Sequence, residues 1–193
     1  MKFALFALLT AGTSAWAPDH FPEYTIDLDL PPQERFKETA AVFKKPFLAA
    51  YKAKDEYLGK PIATMLTLFF DCTAWIWKYT QPQLYLELEG IVEGINDPNF
   101  TIAKAVYTNA CYEIVAWCTS IVAKQANGEI IHARNLDYGF MDLMRALTFR
   151  AHYKKGGEHI FDAVMFAGVV GVYTGEREKA FSISQDTRSF DKN

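Results

Sequence analysis

At Cys118 the hydrophobic pattern of this chain changes period. Before that residue apolar side chains recur at three- and four-residue intervals; after it they alternate or run in short blocks bounded by Gly, Asn and Asp. The first pattern belongs to helices with one buried face and the second to strands. The chain therefore reads as an α+β protein, a helical leader followed by strands, with a thiol at the boundary.

The leader opens on a strand pattern, in which Tyr24, Ile26, Leu28 and Leu30 alternate with Thr25, Asp27 and Asp29 until Pro31-Pro32 ends it. From residue 33 the spacing of Phe36, Ala40, Phe43 and Phe47 predicts a helix with an aromatic face, bent or interrupted at Pro46. Residues 62–79 form the most apolar stretch after the N-terminal segment. Asp71 and several threonines within it exclude a transmembrane span. Two readings of it stand: a helix buried in the core, or an amphipathic element whose aromatic edge meets a lipid interface. Helices are also expected over 83–94 and 101–115, separated by Asp97-Pro98, with Thr101 as N-cap. Past Cys118, strands are expected over 119–123, 129–134, 146–153, 159–166 and 179–184, with Gly-rich turns at Gly156-Gly157 and over 168–175.

Asn127-Gly128 sits between the first two of these strands and marks a β-hairpin. In a hairpin the far end of the second strand returns to the level of the first strand's start, which sets Arg134 and Asp137 beside Cys118. A thiol, a guanidinium and a carboxylate then share one place. His132 lies between the strands' polar ends and reads as structural, and Asn135 reads as a turn residue.

At 193 residues the chain is long enough for one domain with its own core, and half of it is hydrophobic, which excludes disorder. A net charge of −3 offers no broad basic surface for nucleic acid. Met1-Lys2-Phe3 and the apolar residues that follow read as a secretory signal over 1–17. In that oxidising route three cysteines leave one unpaired, and a Cys72–Cys111 bridge leaves Cys118 free. Asn99-Phe100-Thr101 is a glycosylation sequon in a turn.

The run Cys-Thr-Ser-Ile-Val-Ala at 118–123 and Ile-His-Ala-Arg-Asn-Leu-Asp-Tyr at 131–138, with Arg134 sixteen and Asp137 nineteen positions after Cys118, closely resembles the acid ceramidase and N-acylethanolamine-hydrolysing acid amidase family. Residues 24–32, 171–175 and 181–184 carry further parts of the likeness. That family is a choloylglycine-hydrolase branch of the N-terminal-nucleophile hydrolases. The resemblance implies a helical leader (18–117) and the first part of an αββα sandwich (118–193), truncated, because the family takes its oxyanion-hole Asn and a second Arg from further along. Where the family has Asp or Asn, then Glu, then Arg, this chain has Asp186-Thr187-Arg188.

The resemblance also implies chemistry. Self-cleavage between Trp117 and Cys118 would make Cys118 an N-terminal nucleophile whose own α-amine is the base; an α-amine and a thiol ordinarily titrate within about one unit of each other. Arg134 would favour the thiolate and hold the substrate carbonyl, and Asp137 would orient the ammonium. The expected reaction is hydrolysis of the amide bond of an N-acyl lipid, ceramide first and N-acylethanolamine as the alternative. No cofactor and no metal belongs to it. The expected setting is the secretory route or lysosome, with membrane contact and a self-cleaved α/β heterodimer. A reading of another class is a non-catalytic lipid-binding or partner-binding remnant.

Overall fold

The computed structural model describes residues 21–110, 117–137 and 141–186, with Trp117, Asp137, Met141 and Asp142 described through their backbone alone. The signal segment, Cys111, Thr187 and Arg188 lie outside the described residues; Cys72 is exposed and unbridged, which corrects the expectation of a Cys72–Cys111 disulfide. The chain is α+β. Strand β1 (Glu23–Asp27) is followed by α1 (Pro32–Arg35), α2 (Lys37–Val42), α3 (Lys44–Leu58) and α4 (Lys60–Thr73). A 3-10 turn (Ala74–Ile76) leads into α5 (Trp77–Thr80), α6 (Pro82–Ile95) and α7 (Ile102–Ala110). Then come β2 (Trp117–Lys124), β3 (Ile130–Asp137), a short α8 (Met141–Arg145), β4 (Thr148–Lys155), β5 (Glu158–Phe166), β6 (Thr174–Arg177) and β7 (Phe181–Ser184).

The aromatic helix expected from residue 33 divides at Phe36 and Phe43 rather than at Pro46. Pro46 falls in the first turn of α3, where a helix has no use for its N–H. The divisions are shallow, because Ala40 N–H still bonds Phe36 O and Phe47 N–H bonds Phe43 O. Phe36, Phe43 and Phe47 are all buried, so one face is kept through three segments. Thr101 does cap α7, its hydroxyl accepting from Lys104 N–H at 3.4 Å.

Glycines set how closely α6 lies on α1 and α2. A methyl group on Gly90 would sit 1.9 Å from the Gln33 carbonyl oxygen, and one on Gly94 2.3 Å from that of Lys37. Only hydrogen fits between those backbones. Beneath them Arg35 ties the β1–α1 turn to α6, bonding Glu87 at 2.8 Å and the Leu28 carbonyl at 2.9 Å.

Among the described residues, five strands form one sheet in the order β1-β4-β5-β6-β7, and β2 pairs with β3 in a separate two-stranded sheet. The first strand of the leader thus enters the sheet of the C-terminal half, parallel to β4, with Tyr24 opposite Ala151. The other neighbours are antiparallel. Gly156 and Gly157 both take positive φ and close the β4–β5 hairpin, as two-residue hairpin turns require. Strand β6 forms within the stretch expected to be a turn, because β5 and β7 supply partners on both sides.

One face of this sheet is apolar and lies under the helices: Ile26, Phe149, Ala151, Tyr153, Ala163 and Met165 are all buried. Phe43 and Tyr24 contact Phe149 at ring-centroid distances of 5.9 and 5.6 Å. Lys54 is buried nearby, its ammonium 3.3 Å from the Tyr107 ring centroid and 2.9 Å from Asp55. The opposite face carries Arg150, His152, Asp162 and Val164 and meets the β2–β3 hairpin at one end.

The reading of residues 62–79 as a buried helix is corrected. Phe70, Ala63 and Ala74 face the core, but Leu68 is 64%, Phe69 56% and Trp75 59% exposed. The segment is amphipathic with its larger apolar side outward. No helix among the described residues is long and apolar enough to cross a membrane.

Candidate functional site

Asn127-Gly128 makes the turn it predicts: Gly128 has φ +92, and Asn127 Oδ1 accepts from Glu129 N–H at 3.0 Å. The register that follows decides which side chains meet. Cys118 stands opposite Leu136, Ser120 opposite Arg134 and Val122 opposite His132. Opposed residues share a face, so the thiol and the guanidinium lie on the same side of the hairpin, one pair apart. Asp137 pairs with Trp117 through the backbone, one residue beyond Cys118's partner. Asn135 is a mid-strand residue opposite Thr119, not the turn residue expected, because β3 continues in register to Asp137.

This face docks on β6 and β7. His132 places Nδ1 2.8 Å from Ser182 Oγ and Nε2 3.2 Å from Ser184 Oγ, a structural role as the sequence suggests. Ser120 donates to Asp186. Arg134 donates to Thr174 Oγ1 at 2.8 Å and to the Gln185 carbonyl at 2.7 Å, and lies 3.5 Å from Asp186 Oδ1. Its side chain is only 9% exposed, and its Nε is buried without a hydrogen-bond partner among the described residues. Cys118 is half-buried and packs with Leu136 against Val169, Tyr173 and Phe166.

Two recesses flank Arg134. A groove of about 510 Å³ runs from His132, Arg134 and Thr174 to Arg150 and Asp162. A smaller, more apolar cavity of about 300 Å³ is lined by Leu136, Met144, Phe166 and Tyr173 as well as Arg134. At the groove's far end, burial pushes the Asp162 carboxyl up, but bonds from His159, His152 and Arg150 outweigh it and hold the group below its ordinary range. His152 is raised above the ordinary imidazole value by its bonds to Glu23 and Asp162.

The spacing of Cys118 and Arg134 corresponds to a shared hairpin face, whereas what immobilises the arginine has no local signal in the sequence. Gln185 follows β7, and Thr174 opens β6, a four-residue strand with little propensity of its own, in what reads as a Gly-rich turn. Only the pairing of β6 with β5 and β7 turns it toward Arg134.

A family model described as the beta subunit of N-acylethanolamine-hydrolyzing acid amidase matches residues 19–69. Among curated proteins, the N-acylethanolamine-hydrolyzing acid amidase of Rattus norvegicus is 32% identical over 192 residues, covering 97% of this chain and 52% of the relative. The enzyme of that name from Caenorhabditis elegans is 28% identical over 86% of this chain and 47% of its own length. The acid ceramidase of Heterocephalus glaber is 28% identical over 86% of this chain and 45% of its own length. The chain spans about half the length of the curated relatives it matches. The resemblance drawn from the residues around Cys118 is thus met by similarity across most of the chain.

Proposed function

We propose that this chain carries the nucleophile half of a cysteine amidohydrolase that cleaves the amide bond of an N-acyl lipid. The observation that carries the reading is Arg134: a nearly buried guanidinium, anchored on Thr174 and Gln185, on the same hairpin face as Cys118 and with no hydrogen-bond partner at Nε among the described residues. A cation fixed beside a thiol favours the thiolate. An N–H donor nearby suits an oxygen that gains charge during acyl transfer. The fold into which we place it is the αββα sandwich of N-terminal-nucleophile hydrolases, with the β2–β3 hairpin and the five-stranded sheet as parts of the two inner layers.

In the first step the Cys118 sulfur attacks the Trp117 carbonyl. The C–N bond breaks as the nitrogen takes a proton, and water then hydrolyses the thioester. Trp117 ends in a carboxylate and Cys118 in a free α-amine, which serves as base for its own thiol. In turnover the thiolate attacks the lipid amide, the protonated amine leaves, and water releases the fatty acid. The assigned roles are Cys118 as nucleophile, Arg134 as electrostatic support and Asp137 as partner of the new ammonium. The apolar cavity of Leu136, Phe166 and Tyr173, residues of the same apolar cluster as Cys118, suits the acyl chain.

Relatives named for N-acylethanolamine hydrolysis reach 32% identity over 97% of this chain and 36% over 55% of it, against 28% over 86% for those named acid ceramidase, so N-acylethanolamine is the first substrate to test and ceramide the second. The exposed Leu68, Phe69 and Trp75 supply an apolar surface on which such an enzyme would meet a lipid interface. Secretion to an acid compartment, through the signal segment, completes the reading.

The test is expression of the chain, incubation at acid pH and mass spectrometry. We expect a fragment beginning at Cys118, none from Cys118→Ala, and release of fatty acid from a fluorescent N-acylethanolamine or ceramide. Folded protein that stays whole at every acidity tried overturns the proposal. Cleavage without turnover of either lipid moves the assignment to the lipid-binding reading.

A further inference from the structure

The polar face of the five-stranded sheet holds a second cluster, near the β4–β5 turn. His152 and Asp162 are direct register partners on β4 and β5. His159 precedes Asp162 by three residues, an odd spacing that places two side chains on opposite faces of a regular strand. The strand is not regular there: Tyr153 pairs with Phe161 and Lys154 with His159, so Ile160 is an extra residue on β5. That bulge reverses the alternation, as bulges do when they re-aim a side chain. Ile160 and Phe161 both pack on the apolar core, and His159 shares the polar face with Asp162.

His152 Nδ1 lies 2.6 Å and His159 Nε2 2.9 Å from the same oxygen, Asp162 Oδ1. Arg150 donates to the other carboxylate oxygen at 3.1 Å and so fixes Oδ1 toward the two imidazoles. The remaining nitrogen of His152 is 3.1 Å from Glu23 Oε2 on β1. One ligand atom from each of His152, His159 and Asp162 lies within 4.8 Å of the others.

We propose that His152, His159 and Asp162 form a binding site for a divalent transition-metal ion of the Zn²⁺ class, coordinated through Nδ1, Nε2 and Oδ1. Two imidazoles and one carboxylate are the donor set such ions take, whereas Mg²⁺ and Ca²⁺ want oxygen alone. The carboxylate of Glu23 on the far nitrogen of His152 is the outer-shell partner that fixes the tautomer and orientation of a ligating histidine. Metal bonds of about 2.0–2.1 Å in a tetrahedral site set donor atoms about 3.3 Å apart, so the carboxylate oxygen must move away from His152 Nδ1 by about 0.7 Å and from His159 Nε2 by about 0.4 Å. His159, 55% exposed, has the freedom to move.

The charges around the cluster tolerate a cation. Arg150 and Lys154 on β4 stand against Glu23 and Asp27 on β1, Asp162 on β5, and Glu176, the register partner of Asp162, on β6. Carboxylates outnumber the basic groups. The site is independent of the amide-hydrolase reading, although Asp162 and Arg150 also line the groove that reaches Arg134.

The test is calorimetric titration of the whole chain with Zn²⁺ at neutral pH, with Co²⁺ absorption reporting geometry and Mg²⁺ as comparison. One equivalent of Zn²⁺ should bind, Co²⁺ should give a low-coordinate visible spectrum, and His159→Ala should weaken Zn²⁺ at least ~10-fold with unchanged circular dichroism. Asp162→Asn should abolish the Co²⁺ spectrum; the exposed His159 keeps the test decisive if that variant fails to fold. Absence of Zn²⁺ binding, or equal binding by His159→Ala, overturns the proposal.

Discussion

The two faces of the five-stranded sheet divide the labour of the molecule. Under the helices, Phe149, Ala151, Tyr153 and Met165 are closed off from water, and the backbones of α1, α2 and α6 touch through glycine. On the other face Arg150, His152 and Asp162, with Arg134 of the hairpin docked there, are held in place by hydrogen bonds at particular oxygens. Apolar packing is non-directional and tolerates no loss of volume; hydrogen bonds are directional and fix where a nitrogen points. The first face accordingly carries the packing on which stability rests, and the second carries the directed polar groups on which the proposed chemistry would rest.

That division is open to attack from both sides. The largest effect belongs to Phe149→Ala, which removes the ring that Tyr24 and Phe43 both pack against and should cost about 3–5 kcal/mol, measured by urea denaturation. Any change in self-cleavage should follow only from the unfolded fraction. On the polar face, Arg134→Lys keeps the charge and loses the fork that reaches Thr174 and Gln185. It should slow appearance of the Cys118 fragment about 10²-fold, the scale of one lost transition-state donor, while thermal stability moves little. A large fall in stability with an unchanged cleavage rate would erase the distinction.

The smallest effect tests the join between leader and helices. Burial raises the Glu87 carboxyl above its ordinary value of 4.5, against the pull of Arg35. A carboxyl raised in the folded state binds its proton more tightly there than in the unfolded chain. Its contribution to stability is complete below 4.5 and declines as pH rises through the higher folded value. Glu87→Gln should flatten the melting temperature across that window, and an unchanged slope would show that the group is not the source.

Much of the architecture is legible in the order of residues. The alternation in 24–30 becomes β1 only as far as Asp27, with 28–30 forming a turn, the helical period after it becomes α1 to α3, and Asn127-Gly128 becomes a hairpin with Cys118 and Arg134 on one face. What escapes reading has physical reasons. Leu68, Phe69 and Trp75 look like core because period and hydrophobicity say only that a helix has an apolar side, not that anything covers it. Asn135 looks like a turn residue because a strand's end depends on its partner, and β3 is held in register by β2 as far as Asp137. Strand β6 has too little propensity of its own to announce itself.

By itself the sequence determines the change from helix to strand at Cys118, the turns, and the spacing that brings thiol and guanidinium to one side of a hairpin. These follow from periodicity and from glycine's freedom at positive φ, which act within a few residues. Tertiary structure alone decides that β1 lies parallel to β4, that the hairpin docks through His132 and Arg134 on β6 and β7, and that a bulge at Ile160 turns His159 toward Asp162. Those outcomes rest on hydrogen bonds between segments far apart in the chain, and local pattern does not choose among partners for an open strand edge.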